Sequence, residues 1–204
     1  MRGIGDIMSL APVIPVLTIE NVADARPIAE ALVAGGLPVL EVTLRTPAAL
    51  HSIREMRQVE GAVVGAGTVL DPRQLEASLG AGAEFIVSPG LTDPLGRAAI
   101  AAGAAFLPGI ATAADLMRGL DLGFDHFKFF PAETSGGIAG LKALAGPFGQ
   151  ARFCPTGGIS LESAPAWLAL DPVLCVGGSW LVTKGPVDRE SIERRARAAS
   201  ELGE

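Results

Sequence analysis

A parallel α/β barrel of eight strand–helix pairs, a (β/α)8 TIM barrel forming one domain over residues 1–204, is the fold the sequence predicts. Three observations predict it. Short apolar runs recur about every 20 to 25 residues. Each run ends in Gly or polar residues and is followed by an Ala- and Leu-rich stretch of helical character. No Ser/Pro-rich linker or shift in composition divides the 204 residues, a length that suits one domain with a sizeable core. An open doubly wound sheet is the main competitor, because alternation alone does not show that a sheet closes. The lack of a G-x-G-x-x-G turn after the first run weakens the dinucleotide-binding version of that competitor.

The eight runs, in order, are residues 13–19, 38–44, 63–67, 84–88, 105–108, 126–130, 152–156 and 173–177. Each is short and nearly continuous in apolar residues, as strands buried on both faces require. Between them the helices have recognisable starts. Asp71-Pro72 offers an N-cap followed by Pro at the first helical position, and Asp93-Pro94 offers a less clean version. Thr112 with Asp115 three residues on fits a capping box, with Asp in place of Glu or Gln. Arg189, Arg194, Arg195 and Arg197, interleaved with Glu190 and Glu193, read as the solvated face of a last helix.

The formal net charge is -6, which offers nucleic acid no general attraction, and the acidic residues are scattered rather than blocked into a tail. Cys154 and Cys175 lie inside apolar runs without metal-ligand spacing and read as small core residues. No apolar stretch reaches membrane-spanning length, and the first ten residues lack a signal-peptide pattern, so a cytoplasmic protein is expected.

Lys128 is the most informative residue. It sits in His126-Phe127-Lys128-Phe129-Phe130-Pro131, a charge among three aromatic rings in a chain with only two other lysines. Burial disfavours the ammonium form, and a neutral, desolvated amine is what attacks a ketone to form a Schiff base. The alternative is a strand-end lysine that snorkels to water.

The remaining unusual residues collect at the strand ends, the functional face of a parallel barrel. They are Glu41, Thr43 and Arg45; Gly65, Gly67 and Thr68; Ser88-Pro89-Gly90; Pro108-Gly109; Thr156-Gly157-Gly158; and Gly177-Gly178-Ser179. So much Gly suggests close approach of backbone to ligand. The last two groups end the seventh and eighth strands, where barrels bind phosphate on backbone N–H groups, although Gly-Gly also makes plain tight turns. Glu41, Thr43 and Arg45 alternate and so share one face. There Arg45 can hold a carboxylate bidentately and Glu41 can move protons, or the two can form an internal salt bridge. His126, nearer the strand start, and His51 are read as structural.

Five segments carry a resemblance: residues 39–46 (VLEVTLRT), 65–70 (GAGTVL), 127–133 (FKFFPAE), 152–159 (RFCPTGGI) and 177–181 (GGSWL). On them the chain resembles, over nearly its whole length, the family of 2-dehydro-3-deoxy-phosphogluconate and 4-hydroxy-2-oxoglutarate aldolases (KDPG and KHG aldolases). The resemblance implies a class I aldolase on a TIM barrel, a homotrimer without metal or other cofactor, cleaving a 2-keto acid to pyruvate and D-glyceraldehyde 3-phosphate in the Entner–Doudoroff pathway. By position, Lys128 matches the Schiff-base lysine and Glu41 the acid–base residue. Arg45, Thr68 and Thr156 match contacts at the pyruvate end, and Pro89 and Phe130 line the pocket. Gly157, Gly158, Gly178 and Ser179 match the phosphate contacts. Three rival expectations stand beside it: an aldolase for 4-hydroxy-2-oxoglutarate or the C4-epimeric galactonate substrate, an isomerase or epimerase with Glu41 as base, and a non-catalytic sugar-phosphate sensor.

Overall fold

The computed structural model describes residues 2–183 and 185–203. Its strands are β1 (Val13–Leu17), β2 (Val39–Thr43), β3 (Val63–Gly67), β4 (Phe85–Val87), β5 (Ala105–Leu107), β6 (Gly109–Ile110), β7 (His126–Phe129), β8 (Arg152–Pro155) and β9 (Val176–Gly178). Every ladder is parallel, in the orders β5-β4-β3-β2-β1-β9 and β6-β7-β8. Helices α2 (Val22–Ala34), α3 (Ala49–Met56), α4 (Pro72–Gly80), α5 (Asp93–Ala101), α6 (Ala113–Asp121), α7 (Gly137–Ala145), α8 (Ala164–Leu168) and α9 (Arg189–Ser200) alternate with the strands, after a short first helix α1 (Ile4–Met8). The architecture is α/β, with a parallel sheet curled into part of a barrel.

Two apolar clusters show the curl. Leu40, Val42, Val64, Ala66, Ile86, Phe106, Phe127 and Phe153 pack outward against the helices. Val39, Val63, Phe85, Val87, Leu107 and Cys154 pack together on the opposite, concave face, with Ile7 and Met8 of α1. Period-two alternation along each strand produces this division. At the start of β7, Gly5 of α1 lies against the His126 ring, whose Nδ1 is 2.6 Å from Asp125 Oδ1. His126 thus takes the structural place expected for it, and His51 is exposed on α3.

Several local expectations need correction. The fifth run ends as a strand at Leu107, before Pro108, which has no N–H to give, and a further short strand, β6, follows it; β5 pairs with β4 and β6 pairs with β7. The eighth strand starts three residues late, at Val176, and Val173 makes only an isolated bridge to Phe153. The N-cap of α5 is Thr92, which accepts from Leu95 N–H, and not Asp93, which occupies the first helical turn. Asp71 caps α4 as expected, accepting from the N–H groups of Arg73 and Gln74, and Thr112 with Asp115 closes the capping box of α6. On α9, Arg194 and Arg197 are solvated and paired at i,i+4 with Glu190 and Glu193. Arg195 departs from that face, its Nε being buried without a hydrogen-bond partner among the described residues. Among the described residues no helix is long and apolar enough to cross a membrane.

Candidate active site

The concave face holds an ion pair between Lys128 and Glu41. Lys128 Nζ donates to Glu41 Oε1 at 3.1 Å and lies 3.4 Å from Oε2. The residues are 5% and 3% exposed, which excludes a snorkelling lysine. Register explains the meeting. Lys128 is flanked by Gly109 on β6 and Cys154 on β8, while Glu41 is flanked by Val16 on β1 and Gly65 on β3. The curl of the sheet brings β2 and β7 face to face across the concavity. The aromatic neighbours flanking Lys128 in sequence, Phe127 and Phe129, belong to the helix-facing core, so alternation aims the amine the other way. Phe130 is half-buried, with its ring centroid 5.4 Å from Nζ, within cation–π range.

The alternative of an internal salt bridge between Glu41 and Arg45 does not hold, for the carboxylate pairs with Lys128. Arg45 lies in the turn that follows β2 and is exposed. Thr43 is fully buried, and its hydroxyl donates to the Leu17 carbonyl at 2.8 Å, tying β2 to β1. Thr156, 6% exposed, continues the face that begins with Cys154 on β8, its Oγ1 lying 3.8 Å from Cys154 Sγ. Pro89 is half-buried after β4. Thr68 follows β3 with φ of 58°, the left-handed region that a β-branched residue seldom occupies, and it alone among non-Gly described residues does so. Held strain of this kind collects at functional sites.

The strand-end glycines divide into two kinds. Gly157 and Gly158 have φ of 104° and 83° and turn the chain out of β8, a conformation that favours Gly on steric grounds. Gly177 of β9 is extended and makes room for something else: a Cβ there would stand on the Thr156 side chain. At Gly109 a Cβ would meet the Pro89 backbone. Such glycines make room for residues of neighbouring segments, a role that one sequence cannot reveal because the neighbour is distant in the chain. Gly178 is buried against the Trp180 ring, and Ser179 beside it is exposed.

Cys175, fully buried, lies near this constellation. A hydrogen bond with the Cys154 thiol, then burial, then the charges of Cys154 and Glu41 push its thiol well above the usual range. Among the described residues, no group of three or more His, Cys, Asp or Glu side chains is gathered closely enough to hold a metal ion. A buried amine beside a carboxylate, facing the C-terminal ends of parallel strands, can form an imine with a ketone and move the protons this requires.

A family model described as KDPG and KHG aldolase matches residues 4–197. The chain is 61% identical over 200 residues to the 2-dehydro-3-deoxy-phosphogluconate aldolase of Zymomonas mobilis, covering 98% of this chain and 96% of that one. Two solved structures are similar throughout. The 2-keto-3-deoxy-6-phosphogluconate aldolase of Zymomonas mobilis, with 3-phosphoglycerate, has a TM-score of 0.97 at 60% identity, covering 99% of this chain and 97% of that one. The KDPG aldolase of Legionella pneumophila, with pyruvate captured as a covalent carbinolamine, has a TM-score of 0.88 at 44% identity with the same coverage.

Proposed function

The chain belongs to the KDPG and KHG aldolase family, and from that premise we propose that it is a lyase cleaving 2-dehydro-3-deoxy-6-phosphogluconate to pyruvate and D-glyceraldehyde 3-phosphate through a Schiff base on Lys128. The observation that carries the reading is the buried amine held at 3.1 Å from Glu41. Lys128, having passed a proton to Glu41, attacks the C2 ketone. Glu41 returns protons as the carbinolamine loses water. The iminium then draws electrons from the C3–C4 bond as the C4 hydroxyl gives up its proton, and the aldehyde leaves. The remaining enamine is protonated at C3 and hydrolysed, which frees pyruvate and the amine.

Arg45 and Thr68 bind the carboxylate end with Thr156, Pro89 and Phe130 wall the pocket, and the backbone of Gly157, Gly158, Gly178 and Ser179 takes the phosphate. Fixing both ends aligns the breaking bond, so remote binding energy is used in the chemical step. The four phosphate residues offer only neutral donors, which favours a second reading in which 4-hydroxy-2-oxoglutarate, without phosphate, is also cleaved. Turnover of the two substrates compared side by side separates these readings.

The same proposal extends to the whole molecule. The sheet closes into a (β/α)8 TIM barrel, supported by the isolated parallel bridges Phe153↔Val173 and Thr156↔Gly177 between the ends of the two ladders. Residues 1–204 form one domain. Exposed Leu70, Ile100 and Met117 are surface that a homotrimer would cover. The free thiols of Cys154 and Cys175 suit the cytoplasm, where the enzyme serves the Entner–Doudoroff pathway.

The deciding experiment is borohydride reduction in the presence of pyruvate, read by intact mass. Wild type gains the mass of a reduced pyruvate adduct, and Lys128→Met gains nothing and does not turn over. An adduct on that variant refutes the lysine assignment. Absence of any adduct on wild type favours the isomerase or epimerase instead.

A further inference from the structure

The concave face of β3 carries no side chain between Val63 and the strand's end, because Gly65 and Gly67 occupy the inward positions. Two neighbouring strands fill the space. A Cβ on Gly65 would stand 2.5 Å from ring carbons of Phe85. A Cβ on Gly67 would overlap Glu41 Oε1 and stand 2.6 Å from its Cγ and 2.7 Å from its Cδ. Gly67 is not among the residues with positive φ, so its backbone does not need glycine. Its register partner on β2 is Thr43, whereas that of Glu41 is Gly65. The Glu41 side chain therefore leans along β3, from the level of Gly65 to that of Gly67, and lies flat on the bare backbone there. This lean places the carboxylate on Lys128 Nζ.

We infer that Gly67 is a positioning residue for Glu41: its missing side chain is the space that lets the carboxylate reach the amine. The inference rests on the acid–base role proposed above for Glu41. The carboxylate is closed in on one side by β3 and on the other by Lys128. A methyl group at position 67 would displace the carboxylate from its hydrogen bond to the amine.

Gly67→Ala tests this. The variant should bind substrate with KM changed less than about threefold while kcat falls by about a hundredfold, the cost of displacing a catalytic group by roughly 1 Å. The kcat–pH profile should move with it, which a purely structural change would not cause. Glu41→Asp withdraws the carboxylate by one methylene and vacates the space. In that background, Gly67→Ala should cost less than about threefold more, since residues in contact are not additive. Costs that multiply independently, or a Gly67→Ala variant as active as wild type, overturn the inference. If Gly67→Ala does not fold, it should fold in a Glu41→Ala/Lys128→Met background, which leaves no buried charge stranded; failure there, with that background itself folded, would mean that the backbone, not the carboxylate, requires glycine. Glu41→Gln separates the two levels of the argument. Near-normal turnover in that variant overturns the acid–base role and this inference together. Slow Glu41→Gln with fully active Gly67→Ala overturns the inference alone.

Discussion

Removing an ammonium and a carboxylate from water costs each several kcal/mol, and the 3.1 Å contact between Lys128 and Glu41 offsets that cost only while both are present. Truncating one partner strands the other. Lys128→Met should therefore lose about 3 kcal/mol of stability in addition to its activity, and Lys128→Met with Glu41→Gln should recover most of it. Denaturant midpoints at neutral pH check this; a double variant no more stable than the single one sinks it. Thr68 is the second residue with a measurable consequence. Its left-handed backbone costs about 1–3 kcal/mol, from which the greater freedom of the unfolded chain subtracts up to about 1 kcal/mol when Gly replaces it. Thr68→Gly should unfold at the same or a higher temperature while turnover falls. A lower midpoint would show that no strain is stored there. Lys128 was legible in the sequence because a charge among aromatic rings is conspicuous. Its direct contact with Glu41 was not, because the two are 87 residues apart and meet only through the curl of the sheet.

Helix starts were the most legible elements, since an N-cap and the residue it serves are three positions apart in the chain. In α6, burial raises the pKa of Asp115. Hydrogen bonds from the Thr112 hydroxyl and from the Ala111 and Thr112 N–H groups, with nearby Arg118, more than reverse this and hold it below the ordinary 3.8. A carboxylate lowered in the folded state adds stability that is present above its unfolded value and lost as pH falls through the folded one. Thr112→Ala should cost about 1 kcal/mol near neutral pH, and the difference from wild type should narrow on acidification below the unfolded value of 3.8. Unfolding curves across that range check it; a cost that stays constant in acid would exclude the carboxylate. Strand edges were less legible. Pro108 separates β5 from a further strand, β6, that lies beyond the expected run, and Val173 drops out of β9, because strand limits depend on which neighbour supplies hydrogen bonds.

Over the whole molecule, the sheet separates a helix-facing layer from the concave layer that contains the site, and the two cysteines lie in the latter. Cys154 and Cys175 are 2% and 0% exposed, and the Cys175 thiol is held protonated by its contact with Cys154 and by burial. Thiolates, not thiols, react with alkylating reagents. Iodoacetamide at about pH 8 should leave Cys175 unmodified in the folded protein and label both cysteines once the chain is unfolded. Peptide mass mapping reads the outcome, and rapid native labelling of Cys175 would contradict the burial.

The sequence by itself determined the α/β alternation, most helix starts, and the presence on or just after the strands of Lys128, Glu41 and the glycines. Those features are written in residues no more than a few positions apart, where backbone sterics and periodicity act directly. Only the tertiary structure decided that Glu41 answers Lys128 rather than Arg45, that Gly177 and Gly109 make way for Thr156 and Pro89, and that Arg195 turns inward on α9. These depend on the register and curl of strands distant in sequence, and packing against a neighbouring strand leaves no periodic mark on the residue that yields the space.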